Sequence, residues 1–360
     1  MVAGVQLLAP RPSLVAQAAQ LLREAIEQGH WTDELPGERT LCARLGVSRP
    51  TVRAALEQLR REGRLAVAHG KPTRILRAPR RTATARRPVV ALLTPVPLRT
   101  MPPLVMYWVD ELREQLAAAG CALELHVSRT PYAPRPARAL ESVVRRAPAA
   151  AWLLYLSTDA MQRWFQERGL PCLLAGSCAP GVQLPSVDVD YRAVCRHAAG
   201  RMFARGCRRP ALVLPQGDYA GDRESETGFR ETWAGSSVAA GEPLVLRHDG
   251  TPAGLCAQLD AALKSSMGAD GFIVARSGHA LTTLTHLLRR GVRVPQDAAV
   301  ISRDDDAFLD CVVPRVARYA SDPAQFARRL SRAALALVQQ GTAPIRPVRL
   351  MPRFVPGETL

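Results

Sequence analysis

The sequence predicts an α/β protein of two modules. A small, mostly helical module comes first, followed by a larger one of parallel strands with helices wound on both faces. Three observations predict this. From Leu14 to Leu59 apolar residues recur at helical spacing, whereas from Val89 onward short apolar runs alternate with helical stretches. The basic charge is also uneven. The chain has 360 residues, with 48 Lys+Arg against 32 Asp+Glu (net +16), and residues 1–87 hold 16 and 7 of these, a net of +9. Third, Ala78 to Pro88 reads Ala-Pro-Arg-Arg-Thr-Ala-Thr-Ala-Arg-Arg-Pro, with no apolar period, and is predicted to be a linker. The expected domains are therefore 1–77, a linker over 78–88, and 89–360.

Composition sets the outer limits. A hydrophobic fraction of 47% with 22% charged residues fits a globular chain with real cores. Aromatics are only 5%, so Ala, Leu and Val must fill those cores. Lys71 and Lys264 are the only lysines, and this arginine bias, with many Ala and Pro, matches GC-rich coding. Net charge alone therefore says little about partners. The longest apolar run, Ala147 to Leu156, is about half the roughly 18–20 residues that span a bilayer. No basic segment, apolar core and cleavage site open the chain, so a cytoplasmic protein is expected, with no membrane partner. Cys42, Cys121, Cys172, Cys178, Cys195, Cys207, Cys256 and Cys311 are scattered without a C-x-x-C pair, as expected of free thiols in a reducing compartment. The seven histidines have no metal-site spacing. There is no G-x-S-x-G, no Gly-rich phosphate loop and no H-E-x-x-H. No metal, no cofactor and no enzymatic activity are expected.

In the first module, Leu14, Ala18, Leu21, Leu22, Ala25 and Ile26 predict a helix capped by Ser13 and stopped at Gly29. A second helix runs from about Glu38 to Leu45 and is broken by Gly46. Ser48 is expected to cap a third, with Pro50 tolerated in its first turn and Val52, Leu56 and Leu59 buried. Gly63 ends it, and two extended runs follow, Arg64–His69 and Thr73–Leu76, around Gly70-Lys71-Pro72. Two helices joined by a tight glycine turn and followed by a ribbon make a winged helix-turn-helix, whose second helix of the pair enters the major groove. Its exposed face carries Ser48, Arg49, Thr51 and Arg53. Arginine reaches guanine O6 and N7 with two hydrogen bonds, and Ser or Thr holds phosphate.

Leu35-Pro36-Gly37-Glu38-Arg39, then Leu45 to Leu56 (Leu-Gly-Val-Ser-Arg-Pro-Thr-Val-Arg-Ala-Ala-Leu), then Leu59-Arg60-Arg61-Glu62-Gly63, resemble the GntR family of bacterial regulators. The family has a serine where Gly37 stands, so the cap of the second helix is expected to be weaker. The resemblance implies that Arg39, Arg49 and Arg53 contact double-stranded operator DNA, assisted by Ser48, Thr51 and the wing residues His69, Gly70 and Lys71.

In the second module, strands are predicted at Val89–Thr94, Ala122–Val127, Ala150–Leu156, Cys172–Ala175, Ala211–Leu214, Gly271–Ala275 and Ala298–Ser302. Helices are predicted near 104–119, 137–145, 191–205, 222–235, 253–267 and 278–290. This alternation argues for doubly wound layers, whose ligands bind beyond the C-terminal strand ends. Four stretches then resemble the effector-binding region of LacI/GalR-type regulators and the related periplasmic sugar-binding proteins. They are Ser186–Asp190 with the helix leading to Arg205-Gly206-Cys207-Arg208-Arg209-Pro210, Arg223 to Gly228-Phe229-Arg230, Leu288 to Ile301, and Asp304-Asp305.

That resemblance implies a periplasmic-binding-protein-like domain of two discontinuous lobes, with Thr94, Ser177, Arg223, Arg276, Asp304 and Ser321 at the cleft. It also implies a homodimer and a sugar or sugar derivative as effector. Arg223 lies two residues before the family's ligand-binding arginine, and Ser225 holds that place. Arg276 and Arg303 depart from the family pattern too. Several arginines at one cleft would favour an anionic sugar derivative, unless they pair with Asp304, Asp305 or Asp306. The function expected is a transcriptional regulator, a repressor under control of a small molecule. Two alternatives remain open: a sugar-sensing protein without specific DNA recognition, and a ligand-dependent activator.

Overall fold

The computed structural model describes residues 13–27, 31, 34–66, 73–75, 87–217, 219–265 and 268–360. The chain forms two compact units, Met1–Arg86 and Arg87–Leu360. In the first, α1 (Leu14–Glu27), α2 (Glu38–Leu45) and α3 (Arg49–Arg61) precede a ribbon of β1 (Leu65–Ala66) and β2 (Arg74–Ile75). The strands pair antiparallel, Leu65 opposite Ile75, and Glu34 bridges to Arg74. Ala18, Ala19, Leu22, Leu35, Leu41, Val52, Ala55, Leu59 and Leu65 form the buried core. The Ser13 hydroxyl accepts from the Ala16 N–H at 3.2 Å, as a cap should. Gly46 ends α2 at φ 65°, where a side chain would be strained, and its N–H bonds the Cys42 carbonyl. Ser48 differs from expectation. It sits at the cap position of α3, but its hydroxyl lies 2.9 Å from that of Thr51 and caps no backbone N–H.

The second unit holds two sheets. Its elements in order are β3 (Val89–Thr94), α4 (Pro103–Ala118), β4 (Ala122–Val127), α5 (Ala137–Arg146), β5 (Ala151–Tyr155), α6 (Asp159–Glu167), β6 (Cys172–Ala175) and β7 (Ser186–Val189). Then come α7 (Tyr191–Ala204), β8 (Pro210–Pro215), α8 (Ala220–Ala234), β9 (Leu244–His248), α9 (Pro252–Lys264), β10 (Gly271–Val274) and α10 (Ser277–Arg289). The chain closes with β11 (Ala299–Ser302), β12 (Ala317–Ala320), α11 (Pro323–Gln340), β13 (Val348–Leu350) and β14 (Arg353–Val355). The first lobe carries the sheet β13-β7-β6-β5-β3-β4, parallel throughout. The second carries β14-β12-β11-β10-β8-β9, parallel except for the edge strand β14.

Each sheet is covered on both faces, which is why its central strands are apolar along their whole length. Trp108, Leu112, Leu330 and Leu337 pack on one face of the first sheet, and Trp152, Trp164 and Phe165 on the other. In the second lobe Phe203, Phe229 and Trp233 cover one face, and Leu255, Leu259 and Leu287 the other. Gly228 lets α8 approach α7: a Cβ there would stand 2.1 Å from the Arg192 carbonyl. The chain passes between the lobes three times, from β7 to α7, from β12 to α11 and from β13 to β14. All eight cysteines are free, and burial pushes the Cys172 and Cys195 thiols up, away from the reactive thiolate.

Candidate functional site

In the small unit, α3 turns one face inward through Val52, Ala55 and Leu59 and leaves Arg49 and Arg53 outside, 65% and 64% exposed. They lie one helical turn apart on the same face. Arg39 on α2 and Ser48 are exposed as well, and Thr51 is half-buried. The Arg49 Nε is 3.2 Å from Glu38 Oε2, and the Arg53 Nε is 3.0 Å from both Glu38 oxygens. Hydrogen bonding from Arg53, with the charges of both arginines, holds the Glu38 carboxyl below its ordinary value against the opposing effect of burial. His69, Gly70 and Lys71, and most of the linker 78–88, lie outside the described residues.

In the large unit the strand ends of both lobes meet at the cleft. Ser177, just after β6, donates to Asp188 Oδ2 at 2.6 Å, and the Val189 N–H donates to Oδ1 at 2.8 Å. Burial nevertheless pushes the Asp188 carboxyl up to about 6. Thr94 ends β3 but is fully buried, and its hydroxyl donates to the Val96 carbonyl at 3.1 Å. Ser321 follows β12 and is half-buried. Asp304 follows β11 and is reached by the Arg303 Nε at 3.2 Å and the Arg276 guanidinium at 3.9 Å.

Two of these arginines meet at Asp222, in the first turn of α8, which the sequence reasoning did not single out. Its buried carboxylate receives Arg303 at 2.8 Å and Arg276 at 3.1 Å. Burial pushes this carboxyl up, but the two guanidiniums more than offset it and leave it below its ordinary value. Arg303 is 1% exposed, also donates to the Ser225 hydroxyl at 2.8 Å, and lies 4.1 Å over the ring of Tyr191. Ser225 therefore serves the Arg303 network from a buried position rather than replacing a ligand-binding arginine.

Arg223, on α8 of the second lobe, pairs at 3.0 Å with Asp159, which opens α6 of the first. Its neighbour Glu224 meets Arg349 of β13 at 3.3 Å. Two ion pairs of opposite polarity thus join the lobes. Arg223, Arg276 and Arg303 each face a carboxylate, so the pairing alternative weighed on sequence describes their geometry, with Asp222 and Asp159 as partners besides Asp304. Asp305 pairs instead with Arg318, at 2.5 Å. Asp159 and Asp222 gave no pattern to read, because each finds its partner by folding: 64 and 81 residues separate the pairs Arg223–Asp159 and Arg303–Asp222.

Comparison with known proteins adds three findings. Residues 14–75 match the model for bacterial regulatory proteins of the gntR family, and residues 199–360 match a periplasmic binding protein-like domain. The HTH-type transcriptional regulator GntR of Pseudomonas aeruginosa is 31% identical over 185 residues, covering 50% of this chain and 53% of the relative. The HTH-type transcriptional regulator CelR of Thermobifida fusca is 26% identical over 191 residues, covering 52% and 56%. The chain thus spans about half the length of the curated relatives it matches. Among solved structures, a CelR–cellobiose complex superposes with a TM-score of 0.66 at 21% identity, over 97% of this chain and 100% of that one. A LacI regulator of Bacillus cereus gives 0.68 at 14% identity, over 76% and 98%. These likenesses establish the fold of both lobes.

Proposed function

We propose that this chain, a gntR-family winged helix-turn-helix joined to a periplasmic-binding-protein-like domain, is a sequence-specific DNA-binding transcriptional repressor controlled by a small molecule in the interlobe cleft. The observation that carries the reading is the pair Arg49 and Arg53, exposed one turn apart on the outer face of α3. Guanidiniums so placed can read guanine edges in a major groove. Arg39, Ser48 and Thr51 add phosphate contacts, and the wing residues His69, Gly70 and Lys71 are assigned the neighbouring groove or backbone.

The effector is a sugar or sugar derivative. Asp304, Arg276 and Ser177 at the strand ends, with Arg223 and Ser321 beside them, offer acceptors and donors to hydroxyl groups. A neutral polyhydroxylated ligand suits this cleft better than an anionic one, because Arg223, Arg276 and Arg303 already face carboxylates. The cellobiose bound in the CelR complex supports this class. Thr94 serves here as a buried support. In a homodimer, a change in lobe closure alters the spacing of two heads, and affinity for a two-half-site operator falls because both no longer fit together. No described helix is long and apolar enough to cross a membrane, and the proposed site of action is the cytoplasm.

The test is a gel shift on the DNA upstream of the gene, with and without neutral and acidic sugars, alongside calorimetric titration of the same sugars. Release of a specific complex by a neutral sugar supports the reading. A specific complex that forms only with ligand points to an activator, and sugar binding without any specific complex overturns the DNA-binding assignment.

A further inference from the structure

We infer that Glu38 is the positioning residue that sets sequence specificity at the α3 interface: its single carboxylate grips Arg49 and Arg53 by their Nε atoms and holds both guanidiniums for end-on recognition of guanine. The inference rests on the DNA-binding reading above.

Glu38 is the first residue of α2, whereas Arg49 and Arg53 are the first and fifth of α3. The carboxylate therefore spans the helix-turn-helix, at 3.2 Å to Arg49 and 3.0 Å to Arg53. Without it, two like charges one helical turn apart repel each other, and each long side chain is free to wander toward the nearest phosphate. An arginine can present guanine with either of two edges: Nε with one terminal nitrogen, or the two terminal nitrogens together. Glu38 occupies Nε in both arginines, and among the described residues no hydrogen bond engages their terminal nitrogens. Only the end-on edge is left for a base.

The arrangement has a cost that makes it diagnostic. A carboxylate beside a duplex repels every phosphate, so Glu38 weakens binding to DNA in general. It favours the correct sequence only by ordering the two arginines in advance. A merely structural role would lower affinity for all sequences alike.

The experiment begins by letting the full wild-type chain enrich a preferred duplex from a randomised library. Affinity for that duplex and for poly(dI-dC) is then measured across a salt series for wild type, E38Q and E38D. E38Q is expected to bind poly(dI-dC) more tightly, with the slope of log K against log salt steeper by about 0.9, as for one more effective cation. It is expected to bind the enriched duplex more weakly, so that the ratio of the two affinities falls at least tenfold. E38D, too short to hold both arginines, should fall between. Replacing the enriched guanines with 7-deazaguanine should cost wild type more than E38Q, because N7 counts as an acceptor only where an arginine is held on the base rather than drawn to a phosphate. Thermal unfolding confirms that each variant is folded, and E38D carries the test if E38Q is not. If both variants change the two affinities by the same factor, the inference is overturned. If the wild-type chain enriches no sequence, the DNA-binding reading itself fails and this inference with it.

Discussion

Arg303→Met probes the network at the heart of the second lobe. The change keeps most of the side-chain volume and removes the charge facing Asp222, which is 3% exposed. Removing one partner of a buried pair typically costs about 3–5 kcal/mol, because the other charge stays desolvated. Here Arg276 remains 3.1 Å from the same carboxylate and is one-third exposed, so a cost near the low end, about 3 kcal/mol, is expected. In a unit this large, each kcal/mol moves the melting temperature by about 2 °C, so the shift should be roughly 6 °C. Scanning calorimetry of the full chain reads it as a shift of the large unit's transition alone. Adding Asp222→Leu removes the buried charge that has lost its main partner, so the double variant should recover at least half of the loss. A single variant as stable as wild type, or a double variant whose losses simply add, would refute the claim that these two charges are coupled in the interior.

Four further outcomes follow from the same structure. Asp188, raised from its ordinary 3.8 to about 6 by burial, contributes stability that is present at low pH and lost as pH rises through about 6; Asp188→Asn should remove that part of the melting-temperature profile. Asp222 works in the opposite sense: held below its ordinary value, it stabilises the fold above that value and loses the contribution in acid, so Asp222→Asn should flatten the acid limb. Arg49→Ala with Arg53→Ala should abolish a specific gel shift, at about 1–3 kcal/mol for each base contact, while calorimetric ligand affinity stays unchanged. Leu59→Ala, at a fully buried site of the small core, should cost about 2–5 kcal/mol, lowering the small unit's transition and DNA binding together with the large unit's transition unmoved.

The architecture was legible where one physical signal dominated. The continuous apolar runs of β3, β5 and β6 announced strands buried on both faces, and Gly46 announced the break between α2 and α3. Other elements escaped for identifiable reasons. Strands β9, β12 and β14 carry Arg247, Arg318 and Arg353, whose charges interrupt the apolar pattern. Arg318 is nonetheless buried, because Asp305 and Asp310 pair with it. Helix α11 has Ala327, Leu330, Ala334 and Leu337 at helical spacing, a signal that local periodicity does carry. At the sites, the exposed arginines of α3 could be read from local periodicity. Asp222 could not, since only the folded chain brings it to Arg303.

The three passages of the chain between lobes bear on how the protein is made. Helix α11 and strand β13 complete the first lobe, yet they emerge from the ribosome only after every strand of the second except β14. Strand β14, needed by the second lobe, comes later still. Both lobes wait on residues 323–355 for their last elements. A nascent chain therefore displays unfinished sheet edges until residues 323–355 are released, and a stop before residue 323 would leave both lobes incomplete at once rather than trimming one.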